Sequence, residues 1–364
     1  MTSLASELSA FYACGRTAQS TVLPGRLLIV IPTLNEARHI VSVIQGLLPG
    51  AQRLGAGIVV VDGGSTDGTV DLVCAEAGRT PGVFLLNNPL RLQSAAVNLA
   101  ISSCPHQVDW LIRVDAHSAY PADYCEILLD EARRTGAESV VVRMHATGHG
   151  FLQRNIAAAQ NSIFGNGGSA HRGGDEGRFV DHGHHALMRV SAFRQVGGYD
   201  KTFSHNEDAE LDARLRKAGY HIWLTGRTRI EYFPRDTFRG LVRQYFNFGR
   251  GRLATARKHP DSLRKRHFIL ISLAPFACLS ALSVVHPIHS VPLALWFLIC
   301  SFAGLLTAFE KRMPSLAFCG FPAAVMQLAW SFGFWSGLLQ FASHQFQAHF
   351  DGRRKQRSTK GGER

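Results

Sequence analysis

Short aliphatic runs alternate with helical patterns along the first part of the chain. The runs, each typical of a buried strand, occupy positions 27–31, 58–61, 83–86, 110–114 and 139–144. Apolar residues with the spacing of a helix follow at 35–48, 69–77 and 94–102. Farther along, a helix is predicted at 209–218 and strands at 220–224 and 229–233. Strands that alternate with helices in this way predict an α/β domain with a doubly wound, mainly parallel sheet.

The last quarter of the chain is far more apolar than the rest. Uncharged stretches at 268–285 and 291–309 are each long enough to cross a bilayer, which takes about 20 residues. Basic residues before the first stretch, and Lys311 and Arg312 after the second, predict that both ends of this pair lie in the cytoplasm. Core helices of a soluble protein are the alternative, which the length of both stretches disfavours.

A third apolar stretch, at 314–346, permits two interpretations. A third full span would place the basic tail outside, against the charge bias. A re-entrant or interfacial segment would keep the tail inside, and we expect that arrangement.

These patterns divide the chain into five segments. They are an N-terminal extension (1–25), an α/β domain (26–236), a basic amphipathic juxtamembrane segment (237–267), a membrane region (268–346) and a basic tail (347–364). The formal net charge is +12, and basic residues concentrate at 239–266 and 353–364, next to apolar segments. This placement predicts binding to anionic membrane lipids and not to nucleic acid.

Polar residues recur at the predicted carboxyl ends of the strands, where open sheets of this kind bind ligands. The segments are IPTLNE (31–36), VDGGSTDGT (61–69) and DAH (115–117). Gly64 belongs to a set of glycines that lets the backbone bend tightly and approach a flat ligand closely. Asp62, at the end of its strand, can accept hydrogen bonds from N–H or hydroxyl groups of a ligand. Alternatively, residues 65–67 merely cap the next helix, and for Asp67 both interpretations stay open.

Three later segments carry further polar residues: DHGHH (181–185), NEDAELD (206–212) and RQYFNFGRGR (243–252). Alternation along an extended strand sends His184 and His185 to opposite sides, so a separate zinc site is disfavoured. A third ligand from this segment to a metal held elsewhere stays open. Acidic residues favour a helix N-terminus in any protein, which explains Glu210 and Asp212.

In this order, the segments resemble those of the family 2 glycosyltransferases, which have the GT-A fold. They are especially similar to bacterial exopolysaccharide transferases of the succinoglycan-biosynthesis ExoA type. The resemblance covers residues 26–260 by motif and the apolar C-terminal part by layout. It implies a GT-A-type α/β domain at 26–236, followed by C-terminal transmembrane helices.

The resemblance also implies a site for a UDP-sugar donor. The predicted donor-binding residues are Pro32, Thr33, Glu36, Asp62, Gly64, Asp115 and Arg250. Glu36 and Asp62 would hold the nucleoside, and Pro32 and Thr33 would shape its pocket. Arg250 could clamp the diphosphate of the donor or of a lipid, because a guanidinium binds such groups with two hydrogen bonds.

Asp115 and His117 occupy the position at which this fold usually carries Asp-x-Asp, and we expect them to bind a divalent metal. Such a cation stabilises the negative charge that develops on the leaving diphosphate. The histidine favours Mn²⁺ over Mg²⁺, since the harder ion prefers oxygen ligands. In the alternative interpretation, His117 only forms a hydrogen bond to the substrate.

The resemblance makes Asp208 the catalytic base, with Glu207 positioning the acceptor or its neighbours. The expected function is inverting transfer of a hexose, glucose by resemblance, to a polyprenyl-diphosphate-linked saccharide in exopolysaccharide synthesis. The expected location is the bacterial inner membrane, with the catalytic domain in the cytoplasm. A noncatalytic membrane assembly subunit is the alternative, suggested by His117 and by the lack of a tryptophan in 243–252 that processive relatives carry.

Overall fold

The computed structural model describes residues 26–103, 108–166 and 176–360, with side chains described up to residue 343 except at position 166. The predicted extension at 1–25 and residues 361–364 of the basic tail lie outside the described residues. The chain forms two compact units, Met1–Pro234 and Arg235–Arg364.

The described part of the first unit contains an eight-stranded sheet. Its strands are β1 (Leu27–Thr33), β2 (Gly57–Asp62), β3 (Val83–Asn87), β4 (Trp110–Arg113), β5 (Ser139–Ala146), β6 (Arg178–Phe179), β7 (His184–Arg189) and β8 (Ile222–Tyr232). Their order is β3-β2-β1-β4-β7-β5-β8-β6. Strand β1 pairs in parallel with β2 and β4, as do β2 with β3 and β5 with β8. Strands β6 and β7 pair antiparallel with their neighbours. The predicted doubly wound, mainly parallel sheet is confirmed.

Helices cover both faces of this sheet. They are α1 (Ile40–Leu54), α2 (Thr69–Arg79), α3 (Gln93–Ser102), α4 (Tyr124–Thr135), α5 (Gly150–Asn161), α6 (Ile163–Asn166), α7 (Val190–Gln195) and α8 (Glu207–Lys217). Ile29 of β1 packs in one buried cluster with Ile44 of α1, whereas Val30 packs in another with Val97 of α3. Because both faces of β1 are buried, nearly every position in it is aliphatic.

Two predicted elements differ from the structure. Helix α1 begins at Ile40 and not near position 35, because Asn35 has a φ of 59° and its segment forms a turn. The two strands predicted at 220–224 and 229–233 form the single strand β8. The register of β8 with β5 shifts, and residues 225–228 form an irregularity at this point. The sequence pattern is interrupted there, which is why two strands were predicted.

The second unit is helical. It contains α9 (Phe238–Lys258), α10 (Lys265–Ser280), α11 (Val291–Glu310) and α12 (Gly320–Lys360). Three helical segments in the described residues are long and apolar enough to cross a membrane: Lys265–Val284, Pro287–Glu310 and Pro314–Ser343. The predicted C-terminal transmembrane helices are confirmed as candidate spans, and a re-entrant course for the third stays a prediction.

Helices α9 and α12 touch backbone to backbone. A Cβ atom on Gly249 would lie 1.9 Å from the carbonyl oxygen of Trp330, and one on Gly333 would lie 2.0 Å from that of Phe246. Neither position has room for a side chain. The apolar part of α12 is accordingly largely buried within its unit, whereas the other two candidate spans are mostly exposed.

Candidate active site

Two turns at the carboxyl ends of β1 and β2, residues 33–37 and 62–69, are bonded to each other, and we call them the braced turns. The amide of Asn35 donates to Oγ of Ser65 at 2.8 Å, and the amide of Thr66 donates to Oδ1 of Asn35 at 2.8 Å. These bonds hold Asn35 at its positive φ, which is uncommon for a residue other than glycine.

Asp67 joins the same two turns. Its Oδ2 accepts a hydrogen bond from the amide of Ala37 at 3.0 Å, and its Oδ1 accepts one from the amide of Thr69 at 3.1 Å. The hydroxyl of Thr69 donates to Oδ1 as well, and these bonds lower the pKa of Asp67. The geometry supports the interpretation of Asp67 as a local structural residue.

The carboxylate of Asp62 is fully buried beneath its own turn. Its Oδ2 accepts from the amides of Gly64 and Ser65 at 2.8 and 2.9 Å, and its Oδ1 accepts from the hydroxyl of Ser65 at 2.5 Å. Gly64 has a φ of 83°, and a Cβ atom there would lie 3.2 Å from Nη2 of Arg91. Asp62 therefore organises the turn, and its contact with a nucleoside stays a prediction.

A cavity of about 280 Å³ lies at the carboxyl edge of the sheet. Five residues of its lining were predicted to bind donor or metal: Pro32, Thr33, Glu36, Asp115 and His117. The cavity is also lined by Gly63 of the second motif and by residues that the motifs did not indicate, including Asn88, Arg91 and Gln93. The structure thus brings the β1 and β4 ends together around one space large enough for part of a small ligand.

Asp115 follows β4 and carries a carboxylate held from several sides. Nε2 of Gln93 donates to its Oδ1 at 2.9 Å, and Nε2 of His184 lies 3.2 Å from its Oδ2. Nη2 of Arg113 lies 3.7 Å from Oδ1. Burial raises the pKa of Asp115, but His184, Arg113 and His117 outweigh burial and hold that pKa well below its ordinary value. Asp115 is therefore ionised at neutral pH.

His117 lies at the rim of the cavity, where its Nδ1 is 2.9 Å from Oε1 of Glu36. Its side chain is half exposed. Glu36, predicted to hold the nucleoside, is thus a partner of the predicted metal ligand. No three His, Cys, Asp or Glu side chains converge as a preformed metal site within the part of the chain that the structure describes.

Glu207 and Asp208 open helix α8, beside the buried guanidinium of Arg113. Oδ1 of Asp208 accepts hydrogen bonds from Nη1 of Arg113 and, at 3.1 Å, from the hydroxyl of Tyr199. Oε1 of Glu207 lies 3.9 Å from the same Nη1. Because Arg113 also approaches Asp115, the proposed base and the proposed metal ligand share one cationic neighbour.

The two acidic groups at the start of α8 titrate differently. Burial raises the pKa of Asp208, but the charges of Arg113 and His185 outweigh burial and hold it well below its ordinary value. Burial and the nearby charge of Asp208 raise the pKa of Glu207 to about 7. Asp208 is therefore fully ionised at neutral pH, where Glu207 is about half protonated.

The DHGHH segment divides between two environments, as strand alternation predicts. His184 of β7 faces Asp115, with its Nδ1 4.0 Å from Oδ2 of Asp208. His185 is fully buried, with Nε2 2.7 Å from Oδ1 of Asp212 and Nδ1 3.2 Å from Oδ1 of Asp208. Nδ1 of His182 lies 2.7 Å from Oδ2 of Asp212.

Arg250, predicted to clamp a diphosphate, belongs to helix α9 of the second unit. Its Nη2 donates to Oε1 of Gln340 on α12 at 3.0 Å. Its role toward a donor or a lipid stays a prediction.

Sequence patterns missed Arg113 and Gln93 at this site, and they left the roles of Tyr199 and His184 open. Arg113 had a visible signal, since it is a charged residue inside an otherwise aliphatic strand and such residues are seldom buried unpaired. Gln93 had none, because it reaches the site only through tertiary packing.

Comparison with known proteins is consistent with this geometry. The model of the family "Glycosyl transferase family 2" matches residues 28–197. The chain is 49% identical over 314 residues to the succinoglycan biosynthesis protein ExoA of Rhizobium meliloti (strain 1021), covering 86% of this chain and 95% of that protein.

Among solved structures, the mannosyltransferase PcManGT from Pyrobaculum calidifontis, in complex with GDP-Man and Mn²⁺, superposes with a TM-score of 0.57. The match has 16% identity and covers 90% of this chain and 94% of that one. At this identity, the likeness shows a shared fold.

Proposed function

Since the chain belongs to glycosyltransferase family 2, we propose that it transfers a hexose from a UDP-sugar to a lipid-linked saccharide in bacterial exopolysaccharide synthesis. Its likeness to a succinoglycan biosynthesis protein supports the exopolysaccharide and favours glucose as the hexose. The observation that carries the proposal is the arrangement around Arg113, which lies between Asp115 at the cavity and Asp208 at the start of α8.

The donor occupies the cavity in this proposal. Pro32, Thr33 and Glu36 line it and would contact the nucleoside, while Asp62 and Gly64 keep the neighbouring turn in shape. The guanidinium of Arg91 beside Gly64 adds positive charge for the diphosphate.

A divalent metal, Mn²⁺ or Mg²⁺, would be held by Asp115 and His117. An ionised carboxylate and an imidazole at the edge of one cavity suit such an ion, and the donor diphosphate would contribute further oxygen ligands. When bound, the metal supplies charge stabilisation for the leaving nucleotide. The Mn²⁺ in PcManGT, which shares the fold, motivates testing this ion first.

Asp208 acts as the general base. Inversion requires a carboxylate that takes the proton of the acceptor hydroxyl as this oxygen attacks the anomeric carbon. Asp208 suits that role because its neighbours keep it ionised and because Oδ2 is left to face a substrate. Glu207, whose pKa is raised to about 7, would position the acceptor through a hydrogen bond.

The acceptor is proposed to be a saccharide on a polyprenyl diphosphate, at the cytoplasmic face of the inner membrane. The three candidate spans and the basic residues of α9 support membrane attachment to anionic lipids. Arg250 would bind the lipid diphosphate or a head group.

The test is release of nucleotide by membranes that contain the protein, given lipid acceptor, Mn²⁺ and a panel of UDP- and GDP-sugars. UDP-glucose should give the fastest release, and Asp208→Asn should abolish transfer with little change in donor binding. A GDP-sugar as the preferred donor would refute the proposed nucleotide, and normal turnover in Asp208→Asn would refute the assigned base.

A further inference from the structure

The carboxylate of Asp208 has two oxygen atoms in unlike surroundings. Oδ1 accepts from Arg113 and Tyr199 and lies 3.2 Å from Nδ1 of His185. Within the described residues, His184 approaches Oδ2, with its Nδ1 at a distance of 4.0 Å. One oxygen is therefore fixed by the protein, and the other remains available to a substrate.

A hydrogen-bonded chain continues from Oδ1 into the fold. The hydroxyl of Tyr199 lies 2.6 Å from Nδ1 of His185, and Nε2 of His185 lies 2.7 Å from Oδ1 of Asp212. The other oxygen of Asp212 contacts Nδ1 of His182 at 2.7 Å and the amide of Gly183 at 3.3 Å. Both carboxylate oxygens of Asp212 thus have partners.

This chain is withdrawn from solvent. His185 and Asp212 are 0% exposed and Tyr199 is 2% exposed. Burying a carboxylate and an imidazole costs free energy even when they are paired, and apolar side chains of similar volume often stabilise a fold equally well. Stability alone therefore does not account for this hydrogen-bonded chain. Because the chain ends on Asp208, its role is to be sought in its effect on that carboxylate.

The backbone explains how the chain holds its end point. Asp208 and Asp212 lie four residues apart on α8 and so occupy the same face of the helix. His185 belongs to the antiparallel strand β7 and offers one ring nitrogen to each of them. The imidazole therefore fixes the first turn of α8 against the sheet.

We propose that Tyr199, His185 and Asp212 are positioning residues that fix the rotamer of Asp208, so that Oδ2 faces the acceptor hydroxyl. This inference rests on the proposed function, in which Asp208 is the base. The three residues touch neither donor nor acceptor. They act through Asp208, and their loss should slow the chemical step while leaving the donor cavity intact.

Two substitutions of His185 separate its two contacts. An asparagine amide can reach the place of Nδ1 and keep a donor toward Asp208, whereas a glutamine amide can reach the place of Nε2 and keep only the contact with Asp212. We expect His185→Gln to lower kcat about 100-fold, the scale on which misplacement by about 1 Å acts, with the KM for donor changed less than about threefold. His185→Asn should retain a clearly larger kcat.

Tyr199→Phe is the second variant, because it removes a single oxygen atom and keeps the ring against Phe193. It should lower kcat about tenfold, since it removes the hydrogen bonds of this hydroxyl with Asp208, His185 and Arg113. His221→Gln is the matched control, because His221 is an exposed histidine of the same unit whose side chain is 68% accessible. It should leave kcat and KM unchanged.

The outcomes distinguish this inference from the proposed function. An inactive Asp208→Asn together with unchanged kcat in His185→Gln and Tyr199→Phe would overturn the positioning role alone. Equal losses in His185→Gln and His185→Asn, or a loss of donor binding that matches the loss of kcat, would also overturn it. A fully active Asp208→Asn would overturn the assignment of Asp208 as the base, the part of the proposed function on which this inference rests.

Discussion

Nη1 of Arg113 donates to Oδ1 of Asp208, an ion pair that joins residues 95 positions apart in the chain. The same guanidinium lies 3.7 Å from Asp115 and 3.9 Å from Glu207. One buried cation therefore stands among three carboxylates that would repel one another without it. The proposed metal end and the proposed base end of the site share this side chain.

Arg113→Met should cost both stability and activity. Breaking a buried ion pair by removing one partner leaves unpaired charge and destabilises a protein by about 3–5 kcal/mol. Thermal unfolding of the purified protein in detergent should therefore show a clearly lower Tm, and sugar transfer should be lost. Arg26→Met is the control, because the Arg26–Asp109 pair is exposed and such pairs contribute about 0–1 kcal/mol. Equal effects of the two substitutions would contradict the central role of Arg113.

Glu207→Gln should change how stability depends on pH. The pKa of Glu207 is raised from 4.5 to about 7 in the folded protein, so the folded state binds more protons than the unfolded state between these values. Stability supplied by its protonated form is present at pH 4.5 and is lost as the pH rises to about 7. The variant should lack this loss and gain roughly 1 kcal/mol or more at pH 8 relative to wild type, since one pKa unit corresponds to about 1.4 kcal/mol.

Thermal unfolding of both proteins at pH 5 and pH 8 measures that difference. The contribution of His185, whose pKa is raised well above 6.5, declines as the pH rises above 6.5, and this decline is common to both proteins. The pKa of Asp208 is lowered, so its contribution changes only below pH 3.8. A parallel pH dependence in the two proteins would show that Glu207 is not the group responsible.

Gly64→Ala should weaken both the fold and donor binding. The residue has a φ of 83°, and its new Cβ atom would lie 3.2 Å from Arg91 beside the cavity. A left-handed conformation costs a residue with a side chain about 1–2 kcal/mol. Isothermal titration with UDP should show a higher Kd, and unfolding a lower Tm.

Gly46→Ala provides the opposite expectation. Gly46 lies within α1, has no positive φ and meets nothing within 4 Å, so alanine should stabilise that helix by about 0.5–1 kcal/mol. Similar destabilisation at both positions would argue against the conformational explanation for Gly64.

Removal of divalent metal should abolish UDP binding, and Mn²⁺ should restore it. Asp115→Asn removes the ionised ligand. The Mn²⁺ concentration that gives half-maximal UDP binding should therefore rise at least about tenfold, which corresponds to about 1.4 kcal/mol of binding free energy. Asp71→Asn, on the exposed side of α2, should behave as wild type. Calorimetry that finds tight, chelator-resistant UDP binding would rule out a metal-bridged donor.

Much of the fold could be predicted from the sequence because buried parallel strands have a clear pattern, a continuous run of aliphatic residues. Every position of β2 is buried, and an unbroken aliphatic run is the direct consequence. The carboxyl ends of β1 and β4 adjoin in the sheet, so Thr33 and Asp115 could be placed at one site from their strand positions alone. Strand β8 could not be resolved correctly, since a shift in register looks like a loop in the sequence.

The contacts within the site were beyond sequence reasoning. Whether Asp62 faces a ligand or its own turn depends on two amides at 2.8 and 2.9 Å, which a motif does not encode. The pairing of His185 with Asp212 joins β7 to α8 across 27 positions and follows from packing alone. Local patterns report burial and periodicity, whereas these partners are set by the tertiary arrangement of distant segments.

The bonds between the braced turns bear on the entropy of ligand binding. The side chains of Asn35, Ser65 and Asp67 fix both turns by accepting hydrogen bonds from the backbone amides of Thr66, Asn35 and Ala37. A loop that is ordered beforehand loses little conformational freedom when a ligand arrives, and this saving appears directly in affinity. The conformational entropy of the braced turns is therefore lost when the protein folds, and little more is lost each time a donor binds.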